Sequence, residues 1–115
     1  MRVMFLGDAM AWTVAFHDAA KHEAAAQPAD VRARLQRFVE IIEVHGLASL
    51  PPKAVKHLQG DLSELRLTGR DGIARALYLL RSKQRLVIVH VFTKKTQKTP
   101  PQAMKLALKR AEEIQ

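Results

Sequence analysis

Residues 86–92 read Leu-Val-Ile-Val-His-Val-Phe, and residues 93–101 continue Thr-Lys-Lys-Thr-Gln-Lys-Thr-Pro-Pro. The first part is an apolar run rich in β-branched residues and broken only by His90. Such a run predicts a strand buried on both faces, since alternation would mark a strand with one wet face. The second part delivers Lys94, Lys95 and Lys98 into a loop at the end of that strand. Pro100 and Pro101 then open a helix, because proline suits a first helical turn. A rigid strand that ends in three lysines holds positive charge in a fixed place.

The charge of the whole chain points the same way. Residues 1–71 carry nine Lys/Arg and nine Asp/Glu and sum to zero. Residues 72–115 carry ten Lys/Arg and only Glu112 and Glu113, so they hold the entire net charge of +8. This asymmetry favours a polyanionic partner, nucleic acid or an acidic protein, over a merely solvated basic face.

The remaining elements follow in order. Residues 11–16 alternate Trp12, Val14 and Phe16 against smaller residues and predict a first strand. Residues 19–26 are alanine-rich and helical, and Pro28 stops them. A longer helix starts at Pro28 or Asp30 and ends at Gly46, with Val31, Leu35, Phe38, Val39 and Ile42 on one stripe. Residues 47–52 predict a loop and residues 53–58 one irregular turn. Residues 62–67, 73–81 and 86–92 predict three antiparallel strands, with Asp71-Gly72 as a turn signal. In the last helix Met104, Ala107, Leu108 and Ala111 form the expected inner stripe. The expected fold is α+β: a small twisted antiparallel sheet with two N-terminal helices packed on it and a C-terminal helix. At 115 residues the chain suits one domain, with residues 1–10 expected as a loosely attached leader. Its early apolar stretch is too short for a signal-peptide core, and no run is long enough to span a membrane, so a cytoplasmic protein is expected.

The residues that could do chemistry are few. None of the five histidines pairs with another ligand at a spacing typical of zinc, and neither a nucleophile elbow nor a phosphate-cradling glycine loop is present. No metal or cofactor is expected. What remains is cations on strands. Arg66 shares a strand face with Glu64, and Arg75 opens the next strand, with Tyr78 three positions on. Either arginine could form an ion pair with Glu64. His90 shares parity with Ile88 and Phe92, where a hydrogen-bonded core histidine competes with a functional one.

Leu62-Ser-Glu-Leu-Arg66, Arg75-Ala-Leu-Tyr78, His90-Val-Phe-Thr-Lys-Lys-Thr-Gln-Lys-Thr-Pro100 and Ala107-Leu-Lys-Arg110 together resemble the RelE/ParE toxin superfamily, most closely its phage-derived, HigB-like branch. The likeness spans residues 11–114, and the Phe-Thr-Lys-Lys-Thr-Gln-Lys-Thr-Pro segment is its specific part. It implies a RelE-like fold and the toxin of a type II toxin–antitoxin pair, a ribosome-dependent mRNA endoribonuclease. Carried over, Arg66, Arg75, Lys94 and Lys95 match the catalytic cation positions, and Lys98 matches a basic position of the same loop. In the expected mechanism Lys94 or Lys95 is the base, and Arg66 and Arg75 clamp the phosphate. Tyr78 or His90 orients the RNA. The expected partners are the ribosome, mRNA and a cognate antitoxin with a helix-turn-helix domain. A ParE-like gyrase inhibitor and a non-catalytic nucleic-acid-binding module are the alternatives.

Overall fold

Residues 12–82, 84–94 and 98–114 are described by a computed structural model. The expected leader, residues 1–10, and Lys95 lie outside the described residues. Strand β1 (Thr13–Phe16) leads into α1 (Asp18–Ala25) and α2 (Ala29–His45). Two short 3-10 turns, Leu47–Ser49 and Pro52–Ala54, precede β2 (Val55–Gln59), β3 (Leu62–Gly69), β4 (Gly72–Arg81) and β5 (Arg85–Lys94), and α3 (Pro101–Ala111) follows.

The five strands form one sheet in the order β1-β5-β4-β3-β2. Strands β2 to β5 are an antiparallel meander. Strand β1 joins β5 in parallel, with Thr13 opposite Arg85 and Phe16 opposite Ile88. The α+β architecture expected from the sequence is the one observed.

The sheet is covered on both faces, which is why β5 needs an unbroken apolar run. Helix α2 lays Val31, Leu35, Phe38 and Ile42 against Leu65, Leu67, Ala74, Ala76 and Ile88. On the other face, α3 lays Ala103, Ala107 and Ala111 against Leu62, Leu77, Leu79, Val87 and Val89. The inner stripe of α3 is thus made of alanines four apart, which lets the helix backbone approach closely. Leu108, expected on that stripe, is 36% exposed.

Two local readings are corrected by the structure. Residues 55–59 are not a turn but the edge strand β2, with Val55 opposite Leu65 and Lys56 opposite Glu64. An edge strand has one ladder partner and much exposed surface, so Val-Lys-His-Leu-Gln carries no clear alternation of its own. The second correction concerns β5. Leu77 lies opposite His90 while Tyr78 lies opposite Ile88, so Val89 is an extra, bulged residue. A bulge reverses side-chain parity beyond it. Ile88 and Val91 face α2, whereas His90 and Phe92 turn toward α3. His90 therefore does not share a face with Ile88.

Helix α1 covers the edge of β5 beyond the end of β1. The backbone N–H of His17 donates to the Ile88 carbonyl at 2.9 Å. The N–H of Val91 donates to Glu23 Oε1 at 2.9 Å, and the Thr93 hydroxyl donates to Gln27 Oε1 at 2.5 Å. Among the described residues no helix is long and apolar enough to cross a membrane.

Candidate functional site: a cationic patch across three strands

Strand register builds the site. On the face shared with α3, Glu64, Leu77 and His90 form one row across β3, β4 and β5. Arg66, Arg75 and Phe92 form the next row, and Thr68, Ile73 and Lys94 the third. The alanines of α3 pack on Leu77 and the residues beyond it, so the helix covers one end of this face. Of the sequence-expected residues, the register puts Arg66, Arg75, His90 and Lys94 at same-face positions, but Arg66 lines a cleft shared with α2 whereas His90 and Lys94 line a separate groove.

Glu64 is the anchor of the patch. Its side chain is fully buried, and Arg66 Nε donates to its Oε2 at 3.0 Å. Arg75 Nε lies 3.6 Å from Oε1, and the Thr99 hydroxyl donates to the same Oε1 at 2.5 Å. Thr99 is buried and precedes Pro100, the N-cap of α3, so this carboxylate ties the sheet to the start of the helix. Both ion pairs considered from the sequence are present.

The two arginines differ in what they can reach. Arg75 has no exposed surface. Burial pulls its pKa down, the Glu64 carboxylate opposes that, and Arg66 adds to it. A phosphate clamp needs surface, so a direct clamp by Arg75 does not fit this geometry. Arg66 keeps 23% of its side chain exposed. It lines a cleft of about 320 Å³ with Arg34, Lys53, Phe38, Thr68 and Ile73. Arg34 and Lys53 are additional cations that periodicity alone reads as solvated surface.

Lys94 is exposed and lines a second groove of about 310 Å³ with His90, Phe92, Pro100, Gln102 and Leu106. Lys98 is exposed two residues before Pro100. Tyr78 does not belong to the patch. It is 3% exposed and packs in the layer under α2, with Ser63 opposite it. Burial raises the pKa of its phenol, and a hydrogen bond with Ser63 works against the rise. Arg75 and Tyr78 are three apart, and an odd spacing on a strand puts them on opposite faces.

His90 sits at the rim of the groove in a cluster that ties three elements together. Glu23 Oε1 lies 2.9 Å from His90 Nδ1 and accepts from Arg110 Nη1 at 2.9 Å. Arg110 Nη1 also donates to the Val89 carbonyl at 2.9 Å. Burial pushes the Glu23 carboxyl up, but hydrogen bonds from Arg110, His90 and the Val91 N–H outweigh it and hold the pKa below its ordinary value. Glu23 sits between Lys21-His22 and three alanines in the sequence, and nothing local signals that it reaches a strand 67 residues away.

Comparison with known proteins bears on the family and on the fold. Residues 22–112 match the family model for phage derived protein Gp49-like (DUF891). The chain belongs to the Gp49-like family. Among solved structures, this Gp49-like chain is similar to a double mutant of the Escherichia coli toxin RelE in the free state, with a TM-score of 0.63 and 18% identity. That match covers 88% of this chain and 98% of the other. It is also similar to the archaeal RelE–RelB complex from Pyrococcus horikoshii OT3, with a TM-score of 0.53, 19% identity, and coverage of 77% and 100%. The fold of the Gp49-like chain is RelE-like. No curated protein matches it significantly.

Proposed function

We propose that this chain is the toxin of a type II toxin–antitoxin pair, a metal-independent endoribonuclease that cuts mRNA on the ribosome and so inhibits translation. The observation that carries the reading is the alignment of Arg66, Arg75 and Lys94 on one face of three adjacent strands. The family and the RelE-like fold support it.

RNA is cut by its own 2′-hydroxyl once that oxygen is placed in line with the adjacent phosphorus. The protein must hold the phosphate, stabilise the added charge and move protons. Arg66 forks onto phosphate oxygens while Glu64 fixes its Nε end. Lys94, with Lys95 and Lys98 in the same stretch, supplies further charge to the backbone. Arg75 acts from beneath as a positioning residue, holding Glu64 between the two arginines. The ribosome presents the message already extended, which suits a shallow patch. In the cytoplasm the partner is an antitoxin carrying an acidic segment that lies over the cations and a helix-turn-helix domain.

Primer extension on a message translated with and without the protein tests this reading. Discrete cuts at the ribosomal A site are expected. An intact message together with blocked DNA supercoiling by gyrase would reject the nuclease in favour of a ParE-like inhibitor.

A further inference from the structure

Which group moves the proton of the attacking hydroxyl is a separate question from what the protein cuts. We infer that His90 is that group, a catalytic base acting through Nε2, and that Glu23 is the residue that positions it. The inference rests on the ribonuclease reading and deepens it.

The tautomer follows from the neighbours. An ionised carboxylate can only accept hydrogen bonds, so Glu23 Oε1 at 2.9 Å from Nδ1 requires the proton to be on Nδ1. Arg110 Nη1, 3.5 Å from the same Nδ1, is itself only a donor and bonds the carboxylate instead. In the neutral ring the lone pair is therefore on Nε2. Among the described residues Nε2 has no hydrogen-bond partner, while the ring lines the groove that Lys94 also lines. Phe92 stacks on the imidazole with centroids 4.7 Å apart and planes at 26°, which limits rotation of the ring. A side-chain base held in one tautomer and one plane, beside a groove that a lysine also lines, suits proton abstraction at a phosphodiester.

The competing explanation is a staple that joins α1, β5 and α3. That staple is complete without the imidazole. Arg110 already bridges Glu23 and the Val89 carbonyl, and the Val91 N–H already holds Glu23 to β5. The charged groups that face the ring are Glu23 from α1, Arg110 from α3 and Lys94 along β5, while β4 presents Leu77. His90 and Lys94 are four residues apart on a strand, about 13 Å between Cα atoms at the usual rise, so both side chains must lean toward each other over Phe92 to reach the two oxygens of one phosphorus.

The step balances within the substrate and these groups. Nε2 takes the proton of the 2′-hydroxyl as the O2′–P bond forms and the P–O5′ bond breaks. The Lys94 ammonium gives a proton to the departing O5′. The products are a 2′,3′-cyclic phosphate and a 5′-hydroxyl. The imidazolium then returns its proton through water to the lysine.

His90→Asn separates the two explanations, because an amide can donate to Glu23 as Nδ1–H does but offers no base where Nε2 stands. We expect His90→Asn to keep the wild-type melting temperature and to lose about 100-fold or more in single-turnover cleavage of ribosome-bound message. His90→Ala should be silent and regain cleavage when imidazole is added. Glu23→Gln should slow cleavage at saturating ribosomes without changing the half-saturating concentration. Wild-type cleavage by His90→Asn, or failure of imidazole to revive His90→Ala, would overturn the assignment. A wild-type protein that leaves the message intact would sink the ribonuclease reading instead.

Discussion

Arg66 and Arg75 sit directly opposite each other across β3 and β4. Like charges in that position repel, and here one buried carboxylate, Glu64, lies within 3.0 Å of the first and 3.6 Å of the second. The same carboxylate accepts the Thr99 hydroxyl, so it also fixes the entry to α3. Removing one partner of a buried pair leaves the other charge without compensation. Glu64→Gln should therefore cost about 3–5 kcal/mol of stability. Urea denaturation monitored by circular dichroism measures it, and a loss below about 1 kcal/mol would show that the arginines do not depend on this acid.

The Glu23 cluster predicts a loss of stability in acid. Burial raises the Glu23 pKa, but the hydrogen bonds from Arg110, His90 and the Val91 N–H lower it further than burial raises it. A carboxyl whose pKa is lower folded than unfolded stabilises the protein above the unfolded value, about 4.3 for glutamate. That contribution falls away as pH drops through the folded value. The stability difference between wild type and Glu23→Gln should be full at pH 6 and vanish progressively below about pH 4. Melting temperatures of both proteins across that range check the sign, and a difference that grows in acid would contradict it.

Tyr78 lies on the opposite face from the cations, so its hydroxyl should matter to stability and not to RNA. Tyr78→Phe removes the hydrogen bond with Ser63 and should cost about 1 kcal/mol. Tyr78→Ala would empty a buried ring site under α2 and should cost about 3–5 kcal/mol. Cleavage by Tyr78→Phe should match the wild type at 25 °C. A large drop in cleavage rate with unchanged melting temperature would return this tyrosine to the site.

The strand that dominates the fold was readable because both of its faces are covered, and burial on two faces leaves an unbroken apolar run. The stripe of α2 was readable for the related reason that a helix on a sheet buries one side. Strand β2 was hidden because an edge strand borrows its register from its neighbour β3. The orientation of His90 was hidden because the bulge at Val89 exists only in the pairing of β4 with β5. Glu23 was hidden for a third reason: its partners come from β5 and from Arg110, 87 residues away. Arg66, Arg75 and Lys94 stand out in the sequence because charge interrupting or ending an apolar strand is costly unless it is paired or used. Which of those two fates applies to Arg75 depended on its depth, which a sequence does not give.

Lys94 offers the cleanest separation of binding from folding. Its side chain is exposed, it closes β5, and no acidic partner within ion-pair distance is among the described residues. Replacing such a surface lysine should change stability by no more than about 0.5 kcal/mol. If its ammonium meets the RNA backbone and protonates the leaving oxygen, Lys94→Ala should lower the cleavage rate by about 100-fold. Binding should weaken as well, and the slope of log affinity against log salt should become shallower by about one phosphate contact, roughly 0.7 for a single strand. Lys94→Arg keeps the charge but cannot release a proton near neutral pH, so it should restore the salt slope and leave cleavage impaired. Fluorescence anisotropy with a short labelled RNA gives the slope, and single-turnover cleavage on ribosomes gives the rate. Full cleavage by Lys94→Arg would reduce the lysine to an electrostatic contact, and wild-type behaviour of Lys94→Ala in both assays would remove it from the site.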